Sequence, residues 1–496
     1  MNAAYPELEV RFRRIAQING ALGVLHWDSA TMMPAGGADT RAGQIAALGL
    51  LAHERLTDPA MGELIAAAKA VGGLDEWQAA NLREMERQWR HATAVPAALV
   101  EARSLATSKA EMIWRDARGA NDFKALAQPW QQVLDLTREV AQAKAAAFDL
   151  SPYDALLDEY EPGGRAARFE PLLDELAAKL PALVDRIVER QAMRGAAAPL
   201  AGPFAVAAQR ELGLAFMRAL GFEFEHGRLD ISHHPFTGGV PDDVRITTRY
   251  DEADFTRALM GVLHETGHAL YERGLPPAWR HQPVGDARSM TLHESQSLLI
   301  EMQVCRSDEF IGYAAPVIRA HLRGEGPAWL PDNLARHYRR VARSLIRVDA
   351  DEATYPLHVI LRYRLEQAMI VGELDIADLP GAWNEGMRAL LGIAPPDDRD
   401  GCMQDIHWPG GSYGYFPTYT LGAVAAAQLY AQAKRDKPEI AAGVAQGDFK
   451  PLLAWLRMHV HGQGTRYSYD DLLRQATGRP LQLDDFLHHL ETRYLA

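Results

Sequence analysis

Cysteine is scarce in this sequence, with only Cys305 and Cys402 among 496 residues. Two cysteines are far too few for the disulfide framework of a small secreted protein. The sequence also lacks Ser/Gly-rich linkers, low-complexity tracts and internal repeats, the features that commonly separate independent domains. We therefore predict a single domain over residues 1–496, with a helical lobe at 1–200 and a second lobe at 201–496.

Runs of Lys and Arg are missing as well, and the net charge is −13. Nucleic-acid binding requires clustered cations that neutralise phosphates, so this composition argues against a nucleic-acid surface. No stretch approaches the roughly 18 uninterrupted apolar residues of a membrane-spanning helix, and residues 1–10 lack both the basic and the apolar part of a secretory signal. We expect a cytoplasmic protein without nucleic-acid or membrane partners.

Apolar residues recur at helical spacing over most of the chain. A helix is predicted over residues 6 to about 30, and a stripe over 169–180 is typical of a helix that packs against a neighbour and bends or ends near Pro181. Residues 244–250 instead alternate like a half-buried strand, and 229–232 offer a partner strand. The sequence predicts a mainly α fold with a small sheet.

The five residues His264-Glu265-Thr266-Gly267-His268 follow the predicted sheet. Residues four apart lie on one face of a helix, so both imidazoles point at the same place, and Glu265 stands beside it. Two neutral imidazoles suit zinc, and a neighbouring carboxylate can take a proton from a metal-bound water. Such a pentapeptide arises by chance in roughly one chain in twenty, but this one lies in an apolar segment where buried polar groups need a partner. The pattern predicts a metal-dependent hydrolase.

The helix that carries this motif is predicted to start with Asp251 as its cap and to stop at Gly274. A longer form of the motif adds a third histidine on the same segment, but Tyr271 and Gly274 stand at the required positions. Because a catalytic zinc keeps three protein ligands and one open position, the third ligand must come from elsewhere. The best candidate is Glu294.

Glu294 has two interpretations. Thr291-x-x-Glu294 fits a capping box, in which the glutamate only satisfies a backbone N–H at the start of a helix. On a helix, however, Glu294 shares its face with Leu298, Met302 and Cys305, which points the carboxylate toward the interior. Metal ligation explains that orientation better than capping does, and both interpretations stay open at this point.

The pairing of His264-Glu265-x-x-His268 with His293-Glu294-Ser295-Gln296 resembles the carboxypeptidase Taq family of metallocarboxypeptidases. Five more stretches, in the order found in that family, are similar to its motifs: Trp27-Asp28-x-x-Thr31-x-Met33-Pro34 with Arg41-Ala42, His234-Pro235-Phe236, Asp243-Val244-Arg245-Ile246-Thr247, Ile346-Arg347-Val348-Asp349-Ala350-Asp351, and Gly401-Cys402-Met403-Gln404-Asp405-Ile406-His407-Trp408. The resemblance therefore spans nearly the whole chain.

This resemblance implies a large helical, saddle- or groove-shaped zinc peptidase fold, related in architecture to the angiotensin-converting-enzyme and neurolysin groups, with the small sheet beside the active site. It implies His264, His268 and Glu294 as metal ligands, Glu265 as the catalytic glutamate, and a homodimer. We expect one Zn²⁺ per chain, bound in the 201–496 lobe. Co²⁺ or Mn²⁺ are possible substitutes, since imidazole and carboxylate ligands accept several first-row metals.

A carboxypeptidase also needs a fixed cation for the free carboxylate of its substrate, and the planar fork of arginine suits that group. The motifs offer Arg347 as the first choice and Arg245 as the second. Each has a plain alternative, because Arg347 could pair with Asp351 and Arg245 with Asp243. His234 is a further predicted substrate-binding residue.

The tetrahedral intermediate of peptide hydrolysis carries an oxyanion that a fixed donor can stabilise. The 401–420 stretch holds several donors: His407, Tyr413, Tyr415 and Tyr419. Related helical peptidases use a histidine and a downstream tyrosine on a comparable segment, which resembles His407 with Tyr419 or Tyr415. The alternative is a packed aromatic loop.

We predict a zinc-dependent metallocarboxypeptidase that releases single amino acids from peptides with a free C-terminal carboxylate. One rival is an oligopeptide endopeptidase or dipeptidyl carboxypeptidase with the same site. Another is a helical binding protein with a structural or vestigial metal site, in which His293 could be a fourth ligand. Glu265 counts against that second rival, because a structural site needs no base.

Overall fold

The computed structural model describes residues 4–496, and 71% of the chain is helical, which confirms the expected mainly α fold. Nine helices precede the sheet in the described part of the chain: α1 (Ala4–Thr31), α2 (Ala38–Leu56), α3 (Pro59–Val71), α4 (Glu76–Thr93), α5 (Ala97–Ala120), α6 (Phe123–Phe148), α7 (Pro152–Tyr160), α8 (Ala166–Arg194) and α9 (Val206–Leu220). The side chains of Asp58, Asp75, Asp122 and Ser151 accept first-turn N–H groups and so cap α3, α4, α6 and α7.

The sequence predicted that helix α8 bends or ends near Pro181, and the structure excludes the second alternative. Its predicted apolar stripe, which includes Phe169 and Leu180, is buried, but the helix does not end at Pro181 and runs on to Arg194. Proline removes one backbone hydrogen bond, and the buried residues that follow, such as Ile187, still hold the last turns against the core.

The sheet has three strands, β1 (Gly227–Ile231), β2 (Phe236–Val240) and β3 (Asp243–Thr248), in the order β1-β3-β2. The predicted partners β1 and β3 do pair, in parallel, whereas residues 233–239, expected to be only a connection, contain most of β2, which runs antiparallel to β3. Gly239 makes the tight turn into β3 possible: its φ is 95°, and a Cβ there would lie 2.0 Å from the carbonyl oxygen of Asp243.

Helix α10 (Phe255–Gly274) carries the His-Glu motif and packs against β3. Its cap is Asp254, whose Oδ1 accepts the N–H of Thr256 at 2.9 Å. The prediction of Asp251 as the cap was wrong by one turn, because that side chain instead accepts the N–H of Ala253 in the preceding bend. The predicted end at Gly274 is confirmed, and a Cβ there would lie 2.6 Å from the ring of His461.

The rest of the chain is again helical. Its elements are α11 (Met290–Leu298), a π-helical turn (Leu299–Val304), α12 (Asp308–Leu322), α13 (Pro331–Tyr338), α14 (Tyr355–Val371), α15 (Leu379–Leu391), α16 (Pro417–Asp436), α17 (Glu439–Val444), α18 (Lys450–His459), α19 (Tyr469–Thr477) and α20 (Asp484–Leu495). Residues 392–416 form the expected long interruption, which we call the 392–416 loop.

Two hydrophobic cores account for most of the buried apolar surface. The larger one reaches from Ala117 to Tyr494, and α1, α3 and α4 enclose a smaller one around Phe12, Met61 and Met85. The division into lobes at residue 200 stays a prediction. Within residues 4–496, no helix combines the length and the apolar character needed to cross a lipid bilayer.

Candidate active site

His264 and His268 of α10 and Glu294 of α11 come together at one point, and we call them the metal group. One ligand atom from each residue lies within 4.8 Å of the others. Oε2 of Glu294 is 3.5 Å from Nε2 of His268 and 4.0 Å from Nε2 of His264. Ligand atoms that surround zinc tetrahedrally at about 2.1 Å lie roughly 3.4 Å from one another. Small side-chain adjustments would therefore place all three atoms at bonding distance from one shared ion.

The remaining nitrogen of each histidine has its own partner. Nδ1 of His264 is 3.0 Å from Oε2 of Glu301, in the π-helical turn, and Nδ1 of His268 is 3.1 Å from the carbonyl oxygen of His293. Partners of this kind fix the orientation of each ring and leave Nε2 free to bind a metal. The donor set and its support therefore fit a divalent ion such as Zn²⁺.

The electrostatics of this group also favour a cation. Burial alone would lower the pKa of His264, but its contact with Glu301 and the charge of Glu294 raise that pKa to about 10. The pKa of Glu294 is lowered despite burial, because both histidines stabilise its negative charge. Carboxylates thus outnumber fixed cations around the metal group, and a bound cation balances them.

Glu294 does not act as a helix cap. The cap of α11 is Ser289, whose Oγ accepts the N–H of Leu292 at 3.1 Å. Glu294 lies in the second turn, where its Cβ and Cγ would be only 3.0 Å from a Cβ added to Gly422 of α16. This close packing of α11 on α16 directs the carboxylate toward the histidines.

Glu265 is buried beside the metal group and is held by strand β2. The hydroxyl of Thr237 donates to Oε2 of Glu265 at 2.6 Å, and the same hydroxyl is 3.0 Å from the backbone oxygen of that residue. This contact leaves the second carboxylate oxygen available to a water molecule or substrate. The small sheet therefore positions the predicted base.

Arg347 is 5% exposed and pairs with Asp405, not with Asp351, so the simple helix-surface alternative was wrong. Its Nε and Nη2 donate to Oδ1 of Asp405 at 3.0 and 2.8 Å, and its Nη1 donates to the hydroxyl of Tyr355 at 2.6 Å. Two of its five N–H groups, one on each Nη, have no acceptor within residues 4–496. Arg362 of α14 binds the other oxygen of Asp405. We call Arg347, Arg362 and Asp405 the arginine cluster.

Arg245 behaves differently. Its Nε and Nη2 donate to both carboxylate oxygens of Asp243 at 2.7–3.1 Å, so the predicted alternative pairing does occur. Its guanidinium also stacks on the ring of Trp27 from α1, 4.3 Å from the ring centroid. Asp243 alone therefore balances the charge of Arg245, and no second arginine shares that carboxylate among the described hydrogen bonds.

Three of the four predicted oxyanion donors, His407, Tyr415 and Tyr419, form a row of ring contacts that begins at Arg347. The ring of Tyr419 lies 5.2 Å from Cζ of Arg347 and 5.0 Å from the ring of Tyr415, which stacks on His407 at 5.7 Å. Burial raises the pKa of Tyr415, and the charge of Glu294 raises it further. Tyr415 therefore stays protonated and able to donate.

The 392–416 loop is held by Glu366 of α14. Its carboxylate accepts hydrogen bonds from the indole of Trp408 at 2.7 Å, the hydroxyl of Tyr153 at 3.0 Å and the N–H of Gly414 at 3.1 Å. Tyr413 points away from the site and accepts a hydrogen bond from Trp130. The alternative of a packed aromatic loop therefore holds for Tyr413, whereas His407 and Tyr415 face the site.

His234, in contrast, lies on the surface. Its ring packs on His233 at 4.7 Å, and its carbonyl oxygen accepts from Ser232. No described contact joins His234 to the metal group or to the arginine cluster. Its predicted role in substrate binding stays a prediction.

Comparison with known proteins agrees with this geometry. The profile of the carboxypeptidase Taq (M32) metallopeptidases matches residues 7–494. The chain belongs to this family. Thermostable carboxypeptidase 1 of Thermus thermophilus is 41% identical over 514 aligned residues, which cover 100% of this chain and 99% of the relative. The corresponding protein of Pyrococcus furiosus is 35% identical with the same coverage.

Solved structures agree as well. Metallocarboxypeptidase 1 of Trypanosoma cruzi superposes with a TM-score of 0.98 at 40% identity over 100% of both chains. The M32 carboxypeptidase of Deinococcus radiodurans superposes with a TM-score of 0.92 at 36% identity, covering 99% of this chain and 98% of that one. Membership of the M32 family confirms the expected fold and makes the protein a metallocarboxypeptidase, a peptide hydrolase, and not a helical binding protein.

Sequence reasoning missed several residues of this M32 site: Thr237, Glu301, Arg362, Glu366 and, as a partner of Arg347, Asp405. Glu301 follows Glu294 by seven residues, about two helical turns, which is a signal that could have identified it. Asp405 lies inside a recognised motif. The other three had no local signal, because only long-range packing brings them to the site.

Proposed function

We propose that this M32 protein uses one Zn²⁺ to release single amino acids from peptides with a free C-terminal carboxylate. The observation that carries the proposal is the position of Tyr419, which packs on the buried arginine cluster and lies on the helix that packs on the metal group. Tyr419 is one helical turn from Gly422, which packs on Glu294, and its ring is 5.2 Å from Cζ of Arg347. In the proposed pose, a peptide whose carboxylate rests on the arginine extends past Tyr419 toward the metal group with its last peptide bond.

The metal group has the donors of a catalytic site. Two imidazoles and one carboxylate leave an open coordination position for water or substrate. A divalent ion held there would act as a Lewis acid on the scissile carbonyl and make a nearby water more acidic. The side chains of His264, His268 and Glu294 are 22%, 13% and 14% exposed, so solvent and substrate can reach them.

Glu265 acts as the general base and then as the general acid. Its oxygen that is free of Thr237 accepts a proton from the attacking water, and the same carboxyl group later donates that proton to the leaving amine. Thr237 restricts rotation of the carboxylate through its 2.6 Å hydrogen bond. Glu265 itself is only 7% exposed, which limits the number of water molecules that compete for its carboxylate.

The arginine cluster binds the terminal carboxylate of the substrate. It contains two cations and one anion, so it carries a net charge of +1 in a buried place, and an incoming carboxylate neutralises it. The two free N–H groups of Arg347 match the two oxygens of that carboxylate. Arg245 is the weaker choice, since its ion pair with Asp243 is already neutral and its guanidinium packs on Trp27, whereas that of Arg347 packs on Tyr419.

His407 and one of the two tyrosines, Tyr415 or Tyr419, stabilise the oxyanion. Burial, together with the positive charge of Arg347, lowers the pKa of His407 to about 4, so its ring is neutral at pH 7. A neutral imidazole and a protonated phenol can each donate one hydrogen bond without adding charge. Of these two tyrosines, Tyr419 packs on Arg347, and Tyr415 lies between Tyr419 and His407.

Digestion of a peptide of known sequence, followed by mass spectrometry with and without a chelator, tests this function. We expect stepwise loss of single C-terminal residues, abolished by the chelator and restored by Zn²⁺. Release of dipeptides would instead identify a dipeptidyl carboxypeptidase. Equal cleavage of a peptide with an amidated C-terminus would identify an endopeptidase.

Three finer points belong to the proposal. We propose Zn²⁺ as the native ion because of its preference for imidazole and carboxylate, with Co²⁺ or Mn²⁺ as functional substitutes. Metal analysis of protein purified without added metal tests this choice. The homodimer implied by the family and the cytoplasmic location stay predictions, and light scattering tests the first of them.

A further inference from the structure

Arg362 is the most deeply buried member of the arginine cluster. It is 0% exposed and lies on α14, where the ring of Trp383 covers its guanidinium at 4.6 Å. Its Nε donates to Oδ2 of Asp405 at 2.7 Å, its Nη2 to Oε1 of Gln404 at 2.8 Å, and its Nη1 to the carbonyl oxygen of His358 at 2.8 Å. A side chain enclosed in this way cannot contact a substrate.

Asp405 is shared between two arginines. Arg362 binds one of its oxygens and Arg347 the other. The two neighbouring histidines add no charge: burial and the two arginines lower the pKa of His358 to about 3, and burial and Arg347 lower that of His407 to about 4. Within this group the positive charge of Arg362 cancels Asp405, and that of Arg347 remains.

Glu366 is a second buried carboxylate, four residues after Arg362 on α14. Its oxygens accept hydrogen bonds from Tyr153, Trp408 and Gly414, and the described residues contain no ion pair between it and Arg362. Glu366 therefore does not replace Asp405 as the partner of Arg362. If Arg362 were removed, Asp405 would pair only with Arg347, and the two side chains together would carry no net charge.

We infer that Arg362 is a positioning residue that neutralises Asp405 and so keeps the positive charge of Arg347 available to the carboxylate of the substrate. The inference rests on the proposed function, in which Arg347 binds that carboxylate. Asp405 then orients Arg347 without cancelling the charge of Arg347, because one oxygen of Asp405 binds Arg347 and the other binds Arg362. Arg362 affects the reaction only through this ion pair.

The test compares an N-blocked dipeptide with its C-terminal amide, which has the same shape but no negative charge. The measured quantity is the ratio of kcat/KM for the acid to kcat/KM for the amide. We expect Arg362→Met, which leaves the cluster neutral, to lower this ratio about 10- to 100-fold, chiefly through KM for the acid, the size of effect seen when an interaction with a charged group is lost.

Three further variants separate charge from packing. Arg362→Lys keeps the net charge of +1 and should keep the ratio within about threefold, since its ammonium cannot reproduce the fork but can still offset Asp405. Arg362→Met combined with Asp405→Asn also restores a net charge of +1 and should recover most of the ratio. Arg364→Met is the matched control, because it removes an arginine two residues along α14 whose ion pair with Asp174 is on the surface.

Each outcome has one meaning. If Arg362→Met lowers the ratio and the added Asp405→Asn change restores it, the inference is supported. If the added change restores nothing and Arg362→Lys loses the ratio as well, the charge of Arg362 is not what the site needs and the inference is wrong. If Arg347→Met lowers the ratio but Arg362→Met does not, the proposed function stands and only this inference fails. If Arg347→Met leaves the ratio unchanged, the anchor in the proposed function is wrong.

Folding is checked by circular dichroism and thermal unfolding of each variant. Should Arg362→Met not fold, Arg362→Gln provides a second neutral variant whose amide can still donate to Asp405. A ratio for Arg362→Gln equal to that of the unmodified protein would overturn the inference, and a fall comparable to that expected for Arg362→Met would support it.

Discussion

The three residues of the metal group lie on two helices that pack side by side, whereas those of the arginine cluster come from three separate segments. His264 and His268 lie one turn apart on α10, and Glu294 follows on α11. Arg347 begins a short 3₁₀ turn, Arg362 lies on α14 and Asp405 lies in the 392–416 loop. Helical periodicity brings the two histidines of the metal group together, whereas only long-range packing brings the three residues of the arginine cluster together.

The largest expected effect is at Glu265. Glu265→Gln removes the proton acceptor but none of the three metal ligands, so kcat should fall about 10²- to 10⁴-fold while the metal stays bound. Metal analysis of the dialysed variant is the control. Near-normal turnover would show that the metal group alone performs the chemistry and that Glu265 has another role.

Arg347→Met is the corresponding change on the other side of the comparison. We expect roughly a 10²-fold loss of kcat/KM for a peptide with a free carboxylate, because a buried charged contact is lost. Its amidated counterpart should lose far less, and bound metal should not change. An equal loss for both substrates would mean that the arginine cluster only supports the fold.

Glu301→Gln tests the support of the metal group. Loss of a carboxylate that orients a ligating histidine typically weakens metal binding about 10- to 100-fold. Competition with a chelator of known affinity measures this change directly. Discrimination between free and amidated substrates should be unaffected, and a large change in it would contradict the separation of the two groups.

Arg245→Met should have a much smaller effect than Arg347→Met. An ion pair with partial exposure, such as Arg245 with Asp243, contributes about 0–1 kcal/mol, and we therefore expect at most a fivefold change in kcat/KM. A loss as large as that of Arg347→Met would exchange the assigned roles of the two arginines.

The smallest effect concerns pH. Despite burial, Arg362 and Arg347 hold the pKa of Asp405 far below its usual range. Because the pKa is depressed in the folded state, the stabilisation from Asp405 is fully present above an unfolded pKa of about 3.9 and is lost only as the pH falls below that value. The ratio of kcat/KM for free and amidated dipeptides should therefore be unchanged between pH 7 and pH 5. A fall within that interval would mean that a group outside the arginine cluster titrates, and Glu366 is the first candidate, because burial raises its pKa to about 7 and its charge acts on Arg362.

Several features were predictable from local pattern. Spacing of four residues on one helix is enough to bring His264 and His268 together, and alternation identified β1 and β3. The cap of α10 was misassigned because Asp251 and Asp254 both suit a cap, and only the direction of the incoming chain selects between them. Strand β2 was missed because its Gly238-Gly239 pair is typical of a turn.

The sequence by itself determined the mainly α fold, the pairing of His264 with His268 and the family, because these depend on helical periodicity and on motifs that are contiguous in the chain. The choice between ligation and capping at Glu294 needed the packing of α11 on α16. Tertiary structure alone decided the partners: Thr237 for Glu265, Glu301 for His264, and Asp405 in place of Asp351 for Arg347. A buried ion or hydrogen bond is selected by which distant groups burial brings within about 3 Å, and residue spacing along the chain does not contain that information.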